Sequence, residues 1–197
     1  MNKPYSESCD QNCRPIGEQL ARYAGDCKTV LEIGSGTGQH AVYFAAQYPH
    51  LSWQTSDLPH NHAGINAWID DSGLDNVQRP LALDTCGQWP SQSYDLVYSA
   101  NSLHIMSEAC AEQFLRRAPG CMHDGSVLII YGPFNYRGHY TSVSNERFDG
   151  WLKQRDPLSG IKHFEWLNAI AAESGLQCVE DVAMPANNRI LVFKKSG

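Results

Sequence analysis

Apolar residues in this chain fall into short runs separated by stretches of helical spacing. "TVLEI" from Thr29 reads as a buried strand. From Gly38 to Gln47, Ala41, Val42, Phe44 and Ala45, followed by Tyr48, recur at helical intervals, closed by Pro49. The alternation then repeats. Leu51 to Asp57 reads as a strand, Asn61 to Asp71 as a helix, Arg79 to Asp84 as a strand and Tyr94 to Asn101 as another, followed by a helix from about Ser107 to Ala118 and a strand from Ser126 to Gly132. Strands alternating with helices imply right-handed crossovers and a mainly parallel sheet covered on both faces, an α/β fold.

The two ends of the chain depart from this rhythm. A polar arm is expected through about Arg14, then an amphipathic helix near Pro15 to Tyr23, with Pro15 suited to a first helical turn. After Gly132 the sequence is rich in aromatic and turn residues, which reads as a lid or rim over Pro133 to His163 with a helix near Asn145 to Arg155. A helix from Phe164 to Ser174 precedes two strands, "QCVEDVAM" and "NRILVFKK". The short "PANN" link between them permits only antiparallel pairing. No repeat or linker marks a second domain, so residues 1–197 are expected to form one, with 1–27 as arm and helix. Trp53 and Trp68 are expected in the core.

Composition narrows the function classes. No apolar run approaches the ~18 residues of a membrane span, and the start lacks an apolar signal core, so a cytoplasmic protein without a membrane partner is expected. Seven cysteines are spread along the chain with no C-x-x-C pair, an arrangement expected to leave reduced thiols and no metal site. A net charge of −6 offers no footprint for nucleic acid, and none is expected as partner. "HNH" at His60 to His62 reads as surface, because alternate positions opening a helix diverge.

The densest chemistry lies in "VLEIGSGTGQHA", Val30 to Ala41. Gly34, Gly36 and Gly38 follow a buried strand directly, where a loop forms the floor of the crevice in which open α/β sheets bind ligands. The spacing is G-x-G-x-G, which is neither the dinucleotide fingerprint nor a P-loop. Glu32 is an odd choice for an apolar strand and is expected to point at the ligand. Asp57 ends the second strand, where a carboxylate can accept hydrogen bonds from ribose, and Asp84 is expected to end the third. Three acids with no phosphate clamp suit a nucleoside carrying positive charge.

These features resemble the class I S-adenosylmethionine-dependent methyltransferases, a Rossmann-like fold with a seven-stranded, mostly parallel sheet and an antiparallel last strand. The resemblance implies S-adenosylmethionine as cofactor: Glu32 through Gly38, including Ser35, around its amino-acid part, Asp57 on the ribose, Asp84 and Thr85 near the adenine amine, and Ser99, Ala100 and Asn101 as floor. Asn12, Gln39, His40 and Leu58 complete the implied contacts. The chain is also similar to a small methyltransferase-like family whose domain is described as of unknown function, on "GSGTGQHA", "WQTSD", "NSLHI", "YGPF", "SN" at Ser144 and Asn145, "RDP", and a C-terminal "MPANN" from Met184 to Asn188. It departs from that pattern at Gln11, where the family has Arg, and at His163, where it has Asp.

Candidate acceptor-side residues follow from position. His104, three residues past Asn101, is a candidate base for a nucleophile losing its proton, or a capping or orienting group. Tyr131 and Asn145 are further catalytic candidates. Tyr131, Phe134, Tyr136 and Tyr140 cluster where an acceptor would sit, although half of them are expected in the core. Tyr136, Tyr140, Asn187 and Asn188 are the substrate-binding candidates; the two Asn residues also suit a tight turn, but a turn favours Gly beside Asn, and two amides there point to a ligand role. The expected activity is methyl transfer to a small molecule. A noncatalytic cofactor-binding scaffold, or a methyltransferase of protein or RNA, stays open, and a nicotinamide oxidoreductase lacks its glycine spacing and hydride-site pair.

Overall fold

The computed structural model describes residues 3–197. Met1 and Asn2, part of the arm read from sequence, lie outside the described residues. The strand before the glycine loop, β1 (Thr29–Ile33), sits inside a seven-stranded sheet with β2 (Ser52–Asp57), β3 (Val77–Ala82), β4 (Tyr94–Ala100), β5 (Met122–Gly132), β6 (Leu176–Met184) and β7 (Asn188–Lys195). The order across the sheet is β3-β2-β1-β4-β5-β7-β6. Pairs from β3 through β5 are parallel, whereas β7 runs antiparallel to both β5 and β6, as the short link requires. Strand order reverses between β1 and β4, so the loops leaving those strands part in opposite directions and open a crevice at their carboxyl ends.

Alternate side chains of the same strands feed two cores. Val30, Leu96, Ile129 and Val192 pack with Trp53 and Phe44 on one face. Leu31, Val97, Leu128 and Leu191 pack with Phe114 and Leu167 on the other. This is the period-two consequence of a sheet buried on both sides. The first face is covered by α1 (Glu7–Ala24), α2 (Gln39–Gln47) and α3 (His62–Ser72), the second by α4 (Glu108–Arg117) and α6 (Phe164–Glu173). The remaining helix, α5 (Val143–Arg155), lies in the stretch read as a lid, and its side chains reach the crevice.

Four expectations are corrected. The arm is helix: α1 starts at Glu7, capped by the Ser6 hydroxyl accepting from the Cys9 amide at 3.3 Å, and it carries Pro15 inside. Its first turns cover the crevice instead of the apolar core, so their polar residues hid the helical period. The third strand ends at Ala82, leaving Asp84 in the loop beyond it. Trp68 is only partly buried, its indole donating to the Pro4 carbonyl at 2.7 Å with the Lys3 ammonium 4.2 Å from the ring centre. Cys86 and Cys110 form a disulfide, against the expectation of thiols throughout. Their separation of 24 residues concealed that the loop after β3 and the first turn of α4 meet, with Cα atoms 5.2 Å apart.

Phe44 is the hub of the first core, with ring centroids of His40, Trp53 and Tyr98 at 5.4, 5.6 and 5.6 Å. Phe44→Ala is expected to lower unfolding free energy by about 3–5 kcal/mol through lost burial and the cavity left behind. Urea denaturation with an unchanged slope would register this as an earlier midpoint.

Candidate active site

The loop leaving β1 is held by hydrogen bonds to the end of β2. The amides of Gly34 and Ser35 donate to the Ser56 carbonyl at 3.0 and 2.9 Å. The Gly36 amide donates to Asp57 Oδ2 at 2.7 Å, while Asp57 Oδ1 accepts from the Leu58 amide at 2.7 Å and the Asn61 side chain at 2.8 Å. Three of the roughly four acceptor positions of this carboxylate are thereby used. Sterics fix the loop as firmly. A Cβ at Gly34 would collide with the Ser102 hydroxyl, and one at Gly38, where φ is +93°, would lie 3.0 Å from the Ile65 Cα in α3.

Above this loop a cavity of about 1130 Å³ runs along the carboxyl ends of the strands. Of the residues read as cofactor contacts, Gly34, Ser35, Gly36, Asp57 and Leu58 line it at one end. Asp84, Thr85, Ala100 and Asn101 line it alongside, and Asn12 and His40 close it from α1 and α2. His104, Tyr131, Asn145, Asn187 and Asn188 line the remaining wall. Two carboxylates face this space, those of Asp57 and Asp84, and among the described residues no lysine or arginine does.

Six of the expected contacts are elsewhere. Glu32 is 2% exposed and turned beneath the loop, where its carboxylate accepts from Trp53 Nε1 and Ser35 Oγ, both at 3.0 Å. Burial pushes its pKa up to about 7 despite those two donors. The acid seemed anomalous in an apolar strand because the indole and hydroxyl that satisfy it arrive from other segments. Gly38 packs on α3, and Gln39 turns to the start of α1, its Oε1 accepting from the Ser6 amide at 2.5 Å. Ser99 is fully buried and donates to the Ile33 carbonyl at 2.8 Å. Tyr136 faces β6 and β7, bonded to Asp181 at 2.9 Å and stacked on Phe164. The Tyr140 hydroxyl braces α5 by donating to Asp149 at 2.7 Å. Phe134 is core.

His40 and His104 are both buried, and burial draws both imidazoles down to about 4, with the Lys162 ammonium adding to the effect at His104. Both are therefore neutral near pH 7. His40 joins two walls, with Nε2 2.7 Å from Asn12 Oδ1 and Nδ1 3.4 Å from the Tyr98 hydroxyl. Tyr98 donates to Nδ1 in the tautomer that lets Nε2–H donate to Asn12. His104 stands edge-on to Phe148 at 5.2 Å. The segment behind its loop is tied firmly: the Gly160 amide donates to the His104 carbonyl at 2.9 Å, Ser159 Oγ to Ile105 at 2.7 Å, and buried Lys162 Nζ to Met106 at 2.7 Å. Burial pushes the Tyr131 phenol up. Asn145 reaches across to the turn before β7, its amide donating to the Asn187 carbonyl at 3.1 Å. In that turn Asn187 has φ +58° and Ala186 +57°, while Asn188 is extended.

Sequence reasoning missed an apolar wall beside His104, made of Ile105, Met106, Phe148 and Trp151. Phe148 and Trp151 stack with centroids 5.8 Å apart. Their i,i+3 spacing within the otherwise charged "NERFDGWLKQR" was the available signal. It also missed Ser6, Ser8, Cys9 and Pro15 of the first helix and its cap.

The family model described as "Protein of unknown function (DUF938)" matches residues 3–195. Among solved structures, an O-methyltransferase family protein from Burkholderia thailandensis superposes with a TM-score of 0.85 at 16% identity, over 97% of this chain and 58% of its own. A putative O-methyltransferase from Nostoc punctiforme gives 0.83 at 16%, over 95% and 56%. The human N-acetylserotonin methyltransferase, solved in complex with S-adenosylmethionine, gives 0.80 at 14%, over 97% and 53%. Likeness at such identity establishes the fold, which is the Rossmann-like methyltransferase architecture. The chain spans a little over half the length of these structures. Among the described residues, no helix is long and apolar enough to cross a membrane.

A carboxyl held near pKa 7 in the folded state costs stability as pH rises. Its contribution is intact below its ordinary unfolded value near 4.5 and is lost as pH climbs toward about 7. Glu32→Gln keeps an acceptor for Trp53 and Ser35 without that ionisation. In urea titrations, the stability of Glu32→Gln relative to wild type is expected to rise by about 2 kcal/mol between pH 5 and pH 8. A difference that stays constant across this range would contradict the reading.

Proposed function

The chain belongs to the DUF938 family, and we propose that it is an S-adenosylmethionine-dependent methyltransferase acting on a small-molecule acceptor. The observation that carries this reading is the charge of the cavity wall: two carboxylates, with no lysine or arginine among the described residues. That wall favours a cationic nucleoside over a phosphorylated one. The volume, about 1130 Å³, exceeds the ~300–1,000 Å³ typical for one drug-sized ligand, which leaves room for an acceptor beside the cofactor. The same fold in methyltransferases points the same way, and so does the complex of the human N-acetylserotonin enzyme with S-adenosylmethionine.

In this reading the glycine loop and Ser35 hold the amino-acid end of the cofactor. Asp57 accepts from the ribose with its remaining lone pair, and Asp84 with Thr85 borders the base. The cofactor, when bound, supplies a methyl already activated by positively charged sulfur. The rest falls to positioning and exclusion of water. Ile105, Met106, Phe148 and Trp151 form the apolar face against which an acceptor is laid. His104, neutral at physiological pH, accepts the proton that the acceptor atom gives up. Tyr131 and Asn145 border the same space and orient the acceptor. Pro133 to His163, with α5, acts as lid over a single-domain enzyme.

Calorimetry is expected to show micromolar-range binding of S-adenosylmethionine, weakened about 10- to 100-fold by Asp57→Ala, the worth of charge-assisted hydrogen bonds. Affinity untouched by that change would count decisively against the reading. Labelled cofactor with a metabolite extract should then yield a methylated small molecule, whereas binding without turnover would leave a scaffold. With that acceptor, His104→Ala is expected to lower kcat/KM by about 10²–10⁴-fold. In the wild type no acidic limb from His104 should appear until pH nears 4, because a base with a depressed pKa stays unprotonated above it.

A further inference from the structure

Cys86 and Cys110 take no part in the chemistry above, yet they tie two walls of the cavity together. Cys86 is exposed in the loop after β3, beside Asp84 and Thr85, which line the cavity. Cys110 is half-buried in the first turn of α4 and lines the same space. Their Cα separation of 5.2 Å is that of an ordinary disulfide. Other ties between these two regions are noncovalent, and Leu83 at the start of the loop is buried in the second core together with Phe114. The Thr85 hydroxyl meets the Met106 sulfur at 3.9 Å, the Trp89 ring lies 6.1 Å from that of Phe114, and exposed Arg117 donates to the Gly87 carbonyl at 3.0 Å. Within the loop, Asp84 Oδ1 accepts from the Cys86 amide at 2.9 Å, so the carboxylate facing the cavity is positioned by the residue that carries the sulfur.

We propose that Cys86 and Cys110 form a thiol–disulfide exchange site for low-molecular-weight disulfides and dithiols, and that its state sets how firmly the wall of Asp84 and Thr85 is held. The consequence for cofactor affinity rests on the functional reading above. In the oxidising direction, the exposed Cys86 thiolate attacks a small disulfide RSSR and one RSH leaves. Cys110, losing its proton, then attacks the Cys86 sulfur of the mixed disulfide and expels the second RSH. Two protein thiols and RSSR thus become one protein disulfide and two RSH, and a dithiol reverses the sequence. Once the bond opens, the loop beyond Leu83 is held by noncovalent ties alone, and the fraction of molecules with Asp84 and Thr85 in place falls.

The full chain would be equilibrated in graded mixtures of reduced and oxidised glutathione, alkylated, and mapped by mass spectrometry. A Cys86–Cys110 cross-link that forms and reverses with the ratio is expected. Amides of residues 83–89 should exchange with solvent faster in the reduced form. Apparent affinity for S-adenosylmethionine should fall about three- to tenfold on reduction, in proportion to the lost binding-competent fraction. Cys86→Ser should behave as the reduced form in every mixture. Absence of the cross-link overturns the proposal, as do identical exchange in the two forms and a tightly held zinc ion that blocks both thiols, with Asp84 as third ligand. If neither form binds the cofactor, the functional reading fails, while the mapping and amide exchange still decide on the exchange site.

Discussion

The carboxylate of Asp57 holds the loop that leaves β1, and much of the cavity is arranged from that one contact. It lies at the end of β2, 8% exposed, and takes three hydrogen bonds from two different segments. Such charge-assisted bonds are short and directional. They fix the Gly36 amide, and with it the start of α2, where His40 follows at once. His40 in turn holds Asn12, so the position of the first helix is set through the same line of contacts.

The walls beyond this centre are held by polar contacts as well as by the first sheet core, which α1 enters through Ile16 and Leu20. At one end, α1 is tied by Ser6 to Gln39, by Pro4 to Trp68, and by the ion pair of Lys3 with Asp71. At the other, Asp149 draws Tyr140, Lys153 and the Ile161 amide together and shapes the segment around α5. Buried Lys162 donates to two carbonyls and steadies the loop that carries His104. The sheet supplies the floor of the cavity, and the polar segments complete its walls.

Much of the floor was legible in the sequence and much of the roof was not, for a physical reason. Strands such as "TVLEI" and "YDLVYSAN" must satisfy two apolar faces, so their composition betrays them. The turns of α1 before Pro15 present Ser8, Cys9, Gln11 and Asn12 to the cavity, and nothing in their spacing separates them from a loop. Glu32 is conspicuous in an apolar strand, but where its carboxylate turns is not legible, because its partner Trp53 lies 21 residues away. Tyr136 and Tyr140 lie close to Tyr131 along the chain, but Asp181 and Asp149 turn them elsewhere. Phe148 and Trp151 lie three residues apart in a helix otherwise rich in polar and charged residues, which masks their shared face.

The charge of the cavity has a bearing on what it leaves alone. A cell holds phosphorylated adenosines that offer the same base and the same sugar as any adenosine-bearing cofactor. In the functional reading proposed above, a wall that carries Asp57 and Asp84 and, among the described residues, no lysine or arginine would disfavour such phosphates by repulsion. Selectivity of that kind needs no contact with the rejected group, and it weakens as salt screens the field.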